Sequence, residues 1–242
     1  ALTTVNSGGE YNIAIGNYTL DALTTADYNT AVGYAAGSAK TSGNHCTFIG
    51  YDAGLNCTTG TDVTFVGSEA GDGHDTESYN TGVGSGALGG PIAGGEYNVA
   101  VGTYTLDALT SGDDNTAVGY QAGSALTEGL RMTAIGKYAG LALTTAIDCT
   151  FVGETSGSAI TTGRSNNAFG KGALSNTDTE THNLGIGVVA LGGAINGAEY
   201  NVAVGNYTLD ALTSGDQNTA VGYQAGTSVT THSDGVFIGW QA

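Results

Sequence analysis

The chain has 242 residues, including 42 glycines and a single proline, and 22 acidic against five basic residues give a formal net charge of −17. So few cations exclude nucleic-acid binding and a polybasic membrane-surface patch, because both need Lys or Arg against phosphate groups. The hydrophobic fraction of 40% is too high for a solvated disordered chain. No apolar run approaches the roughly 20 residues needed to span a bilayer, so membrane insertion is not expected.

A motif of the form Asn-Thr-Ala-Val-Gly recurs along the whole chain, and its final glycine marks fourteen units. These glycines are Gly16, Gly33, Gly50, Gly67, Gly84, Gly102, Gly119, Gly136, Gly153, Gly170, Gly187, Gly205, Gly222 and Gly239. Eleven of the thirteen spacings between them are 17 residues and two are 18. Residues 96–123 and 199–226 match at 26 of 28 positions, which indicates duplication of a longer block. The repeat predicts one repetitive domain over residues 1–242.

Each unit has the composition of a strand followed by turns. Val, Ile or Phe precedes every marker glycine, often with Thr two positions earlier, whereas Gly, Asp and Asn close the unit. No apolar period of 3.6 residues persists across a unit, so helices are not expected. A unit of this length is too short for a propeller blade or a helix pair. It predicts an all-β parallel β-solenoid of about 14 coils, with two short strands per coil and coils about 4.8 Å apart.

Two positions on one face of the predicted strand vary together. Numbered from the marker glycine, position −2 is Ala or Gly in ten units, and position −4 is Asn in nine of those ten. The four units with Phe at −2 have no Asn at −4. An interior of constant volume explains this coupling, and stacked asparagines would satisfy each other's buried amides. The predicted core residues are Asn29, Asn115, Asn218, Val32, Val118, Val221, Phe48, Phe65, Phe151 and Phe237.

The second strand face is also largely uncharged. Position −1 is Ile, Val or Phe in all fourteen units, and position −3 is Thr in eight and aliphatic in five. A face of this composition is expected to be covered in the assembled protein. Lateral association of parallel copies is the simplest cover, and a homotrimer would satisfy it. Ala1 and Ala242 both occupy position +3 of a coil, so we expect a fragment of a longer fibre or subunits stacked end to end into a filament.

The segments Asn115–Gly123 and Asn218–Gly226 both have the sequence Asn-Thr-Ala-Val-Gly-Tyr-Gln-Ala-Gly. This motif resembles the head repeats of YadA-type trimeric autotransporter adhesins and is similar to repeats of phage tail fibres and other surface fibres. The resemblance covers all fourteen units. It implies a left-handed β-roll, three chains side by side, and extracellular attachment on a cell surface or virion, with the motif residues serving as core and turn residues. The regular unit is longer than the typical adhesin-head repeat, so adhesin, phage fibre and other surface filament all stay open.

Several aromatic residues share position +1 and are candidate ligand-facing residues, namely Tyr34, Tyr120, Tyr223 and Trp240. Aromatic rings suit carbohydrate or protein surfaces, so the alternative function is a host-receptor- or glycan-binding module of a phage tail fibre. Packing between chains is the competing interpretation of these rings. The Thr column at position +8 is similar to the arrays of ice-binding solenoids, but Thr ladders also suit β pairing.

The sequence favours neither catalysis nor a bound cofactor. The best acidic candidates are copied with the repeat, as in Glu10, Glu96 and Glu199, and no G-x-S-x-G or H-E-x-x-H motif occurs. A polysaccharide-degrading spike would instead need one dedicated carboxylate pair, so we expect no enzyme. Oxygen-rich turns leave Ca²⁺ open as an alternative to plain surface charge.

The three cysteines and four histidines give no metal-ligand spacing. Cys46 and Cys149 share one interior position, Cys57 occupies another, and no C-x-x-C motif exists. We expect buried free thiols, with a disulfide as the alternative. The histidines fall at scattered positions of the repeat, so no zinc site is predicted.

Overall fold

The structure is a computed structural model that describes residues 9–242, so Ala1 lies outside the described residues. The chain divides into two compact units. The first ends at Gln121, and the second spans Ala122–Ala242. The described residues of both units contain strands and turns but no helix, and therefore no helix that could cross a membrane. The single domain over residues 1–242 stays a prediction.

The first unit is a parallel β-solenoid. Its strands are β1 (Ile13–Ile15), β2 (Thr30–Val32), β3 (Thr47–Ile49), β4 (Thr64–Val66), β5 (Thr81–Val83), β6 (Val99–Val101) and β7 (Thr116–Val118). Each pairs in parallel with the next strand along the chain. The register joins equivalent repeat positions, so that Val101 lies beside Val118. One repeat is therefore one coil of the solenoid.

The second unit follows the same rule. Its strands are β8 (Thr133–Ile135), β9 (Thr150–Val152), β10 (Asn167–Phe169), β11 (Leu184–Ile186), β12 (Val202–Val204), β13 (Thr219–Val221) and β14 (Val236–Ile238). They also pair in parallel and in chain order. The predicted all-β parallel solenoid with a 17-residue repeat is confirmed in each unit.

The prediction of two strands per coil is wrong, because each coil contains one strand of three residues. After the strand the backbone enters positive φ repeatedly, as at Gly102 (133°), Tyr104 (53°) and Leu106 (51°). These residues bend the chain too often for a second extended run. The turns nevertheless stack, since the Tyr104 N–H donates to the carbonyl of Ser85 in the preceding coil at 2.9 Å.

The interior contains a ladder of asparagine side chains. Asn98 donates from Nδ2 to the carbonyl of Gly112 at 2.8 Å and to Oδ1 of Asn80 at 3.2 Å. Its own Oδ1 accepts from Nδ2 of Asn115 at 3.0 Å. Asn29, Asn115 and Asn218 are all fully buried. The ladder satisfies amides that would otherwise be costly inside the solenoid.

Phenylalanine fills the interior where the ladder is interrupted. Phe48, Phe65 and Phe151 are fully buried, and the Phe48 and Phe65 rings lie 6.0 Å apart. Phe237 is half-buried. Beside it, a Cβ added to Gly235 would lie 2.5 Å from the Phe237 ring, so the glycine and the ring are closely packed in this coil.

The prediction that three valines, Val32, Val118 and Val221, lie in the core needs correction. Successive strand residues alternate between the two faces, so the burial of Ala31 at the centre of β2 turns Val32 outward. Val32 and Val118 are half-buried and Val221 is 39% exposed. None of the three lies in the interior of the single chain, and all three belong to the outer strand face.

Three consecutive coils place polar side chains at interior position +7, namely Lys40, Cys57 and His74, all fully buried. The Lys40 ammonium lies 3.7 Å from Cys57 Sγ, donates to the Gly60 carbonyl and lies 5.9 Å from the Phe48 ring centre. Burial raises the pKa of Cys57 to about 11, against a smaller opposing effect of Lys40.

Cys46, Cys57 and Cys149 are all buried free thiols, as predicted. Burial also raises the pKa of the Cys149 thiol to about 11. Because the thiolate is the reactive form, both Cys57 and Cys149 are expected to be inert towards thiol reagents in the folded protein.

His74 makes the first unit sensitive to acid. Burial lowers the pKa of His74 from 6.5 to about 4, and this effect outweighs the opposing effects of Glu77 and of the Leu88 backbone. The unfolded chain binds this proton more tightly, so the contribution of His74 to stability is full above pH 6.5 and falls by about 3 kcal/mol as the pH drops to 4. His74→Thr, which copies Thr177 of the duplicated block, is expected to remove this loss in denaturant melts at pH 7.0, 5.5 and 4.5.

An exposed histidine supplies the control for that experiment. His182→Thr makes the same replacement at an exposed histidine and shows what the substitution as such does to the unfolding curve. If His74→Thr leaves the pH dependence of unfolding unaltered, the acid sensitivity does not come from His74.

Candidate functional site on the outer surface

The outer strand face carries no charged residue in any of the fourteen coils. In the first unit, position −1 is occupied by Ile15, Val32, Ile49, Val66, Val83, Val101 and Val118. In the second unit it is occupied by Ile135, Val152, Phe169, Ile186, Val204, Val221 and Ile238. Because the strands pair in register, these side chains form a continuous apolar stripe on each unit. The bordering residues at −3 are Thr or aliphatic in every coil except that of Asn167.

A groove beside the marker glycines of the first unit contains three tyrosines. Tyr34 and Tyr51, at position +1 of neighbouring coils, stack with ring centres 5.4 Å apart and planes 10° apart. Tyr18, at +2 of the preceding coil, meets Tyr34 edge-on at 5.5 Å and 79°. Asp21 and Asp52 complete the groove, whose volume is about 500 Å³. Stacking of the coils therefore brings together residues that are far apart in sequence.

The electrostatics of this groove are acidic. Its lining includes the carboxylates of Asp21 and Asp52 but no Lys, Arg or His. The Asp52 carboxylate, by its charge and by a hydrogen bond, raises the pKa of the Tyr51 hydroxyl. A positively charged group placed here would be favoured over a neutral or negative one.

The other predicted aromatic residues lie at equivalent places in their own coils. Tyr223 meets Tyr207 edge-on at 6.1 Å and 84°, which repeats the geometry of Tyr34 and Tyr18. Trp240 is 72% exposed, and Tyr120 is exposed as well. Of the four predicted ligand-facing residues, only Tyr34 lies in the groove described above.

A second aromatic column, at position −5, was not predicted from the sequence. Tyr11 stacks on Tyr28 at 5.0 Å and Tyr79 on Tyr97 at 4.9 Å. A signal for them was present, because the repeated tripeptide Glu-Tyr-Asn places tyrosine next to the ladder asparagine. All fourteen residues at −5 have positive φ, and all of them except Ser165 are exposed, so the column lies at an exposed corner of the coil.

The repeated acidic and threonine columns have structural partners. The backbone N–H of Glu96 donates to Asp113 Oδ1 at 2.8 Å, and that of Glu199 donates to Asp216 Oδ1 at 2.8 Å. Thr24 donates its hydroxyl to the carbonyl of Thr41 in the next coil at 2.7 Å. These side chains tie successive turns together. Among residues 9–242, no group of three or more His, Cys, Asp or Glu could hold a metal ion.

Comparisons of the chain with protein-family models, with curated proteins and with solved structures each give no match. The class of protein is therefore defined by its fold, and each unit is a parallel β-solenoid built from stacked repeats.

Proposed function

We propose that the chain is a structural and adhesive segment of an extracellular or virion fibre, in which three copies lie side by side with their strand faces together. The observation that carries this proposal is the uncharged strand face. In a chain of net charge −17, acidic residues are absent from every position −1 and −3. Contiguous exposed apolar stripes of this kind are typical of association surfaces.

A second copy of this chain fits the stripe better than an unrelated partner. The apolar side chains repeat with each coil, and only a surface with the same repeat can match them along the whole unit. Parallel copies have that repeat by construction, and cyclic symmetry limits the assembly to a closed number of chains. The resemblance to trimeric adhesin heads and tail-fibre repeats supports three as that number.

Charges placed on the strand face are expected to prevent association. Ile49→Asp and Val101→Asp would each bring like charges together in a desolvated interface, which costs several kcal/mol. In analytical ultracentrifugation we expect the parent protein at three times its chain mass of 24.0 kDa and both variants at the mass of a monomer.

The matched control is Ser111→Asp, which adds the same charge at an exposed position away from the strand face. It should keep the mass of the assembly, and far-ultraviolet circular dichroism should show all variants folded. A parent protein that is monomeric at every concentration, or strand-face variants that keep the parent mass, would refute the proposal.

A further inference from the structure

The strand face and the tyrosine groove differ in charge, and this difference separates their roles. The strand face is uncharged, whereas the groove of Tyr18, Tyr34 and Tyr51 also holds Asp21 and Asp52. Burying this groove against a second copy of the same acidic chain would bring carboxylates towards carboxylates. The groove is therefore poorly suited to contact between copies, and it remains available to a ligand of opposite charge.

The aromatic geometry also favours a cation. Because Tyr18 and Tyr34 meet at 79°, their ring faces form a corner, and Tyr51 extends the aromatic surface parallel to Tyr34. Ring faces carry negative electrostatic potential and attract ammonium groups, as in aromatic cages. The adjacent carboxylates accept hydrogen bonds, which a primary ammonium can donate and a quaternary one cannot.

We propose that this groove binds an amino-sugar polymer through its free ammonium groups. Sugar rings offer apolar C–H faces to the tyrosines and hydroxyl groups to Ser38 and the tyrosine hydroxyls, while the ammonium lies against Asp21 and Asp52. The volume of about 500 Å³ exceeds what a lone ammonium needs and falls in the range of about 300–1,000 Å³ typical of sites for larger ligands.

Two other sets of equivalent positions in the repeat differ from this groove in their side chains. The trio Tyr207, Tyr223 and Trp240 keeps an acidic residue at Asp210, but Gln241 stands where the first groove has Asp52. A third set of equivalent positions has Lys137 in place of Tyr51. The fold therefore accommodates lysine at position +1, and Tyr51→Lys is a test variant that the repeat itself shows to be compatible with a coil.

Titration calorimetry with two tetrasaccharides tests the proposal. We expect the fully deacetylated glucosamine tetramer to bind and the N-acetylated tetramer to bind at least roughly tenfold more weakly, because acetylation removes the charge. Tyr51→Lys should weaken binding of the glucosamine tetramer by at least roughly tenfold, and Asp52→Asn by roughly fivefold.

One control separates the groove from general attraction to an acidic protein. Asp234→Asn removes one exposed carboxylate outside the groove and should leave the affinity within about twofold. Equal binding of both tetramers, or equal loss in Asp52→Asn and Asp234→Asn, would overturn the proposal. Tetralysine binding as tightly as the glucosamine tetramer would reassign the groove to basic peptides.

The proposed ligand binding in the groove and the proposed association of copies can each be contradicted without affecting the other. The binding experiment depends on the groove alone and is read out whether the protein sediments as a monomer or a trimer. The Ile49→Asp and Val101→Asp variants should bind the glucosamine tetramer like the parent protein.

Discussion

Replacing Gly102 by alanine is expected to destabilise the first unit by about 3–5 kcal/mol. Gly102 has φ of 133°, a conformation that residues with a Cβ rarely adopt. A Cβ there would also lie 2.6 Å from the carbonyl oxygen of Gly119 in the next coil. Neighbouring coils therefore approach each other closely at the marker glycines, and one added methyl group must separate them. Urea denaturation followed by circular dichroism measures the loss.

Gly94→Ala is the matched control, because it keeps the backbone strain and omits the contact. Gly94 also has positive φ, 108°, but a Cβ added there would meet nothing within 4 Å. Its cost should be about 1–3 kcal/mol, from strain alone. Equal losses in the two variants would show that close contact between coils contributes nothing at Gly102.

Phe65→Ala is expected to cost about 3–5 kcal/mol, the usual loss for a fully buried phenylalanine. The Phe65 ring lies 6.0 Å from Phe48 and 4.5 Å from the His74 ring, so its removal leaves a cavity bounded by both. A Cβ added to Gly71 would lie 2.5 Å from the ring, which shows that the ring and the glycine share one space.

The double variant Phe65→Ala/Gly71→Leu is therefore expected to recover at least about half of that loss, since leucine would fill the cavity. The coil of Ala100 and Leu106 already has this arrangement, with Leu106 fully buried at φ of 51°. Gly71→Leu alone should destabilise the unit, because the ring is still present. Additive effects in this double-mutant cycle would contradict a shared interior volume.

The sequence predicts the fold largely because one repeat is one coil. Once the spacing of the marker glycines is known, the pairing of Val101 with Val118 follows from register alone. The absence of Asn at position −4 wherever Phe occupies position −2 predicts a packed interior without any knowledge of the turns. The link between Phe65 and Gly71 is equally visible in the sequence, but its meaning depends on a turn that folds back over the strand.

What could not be predicted depends on the turns. The positive φ at position +2 brings Tyr18 beside Tyr34, which is at +1 of the next coil, so the groove unites different repeat positions. The interior direction of position +7 is set by the same turns, and nothing in the composition indicates that Lys40 and His74 are buried. The apolar side chain of Val32 favours a place in the core, although strand alternation turns it outward.

Cross-linking in solution tests the association of copies most directly. Val101→Cys places a thiol on the outer strand face, whereas the native cysteines are buried and, at Cys57 and Cys149, have raised pKa values. If parallel copies meet in register through this face, mild oxidation should give covalent dimers of Val101→Cys and almost none of Ser111→Cys. Equal cross-linking of the two variants, or none in either, would contradict the proposed fibre segment.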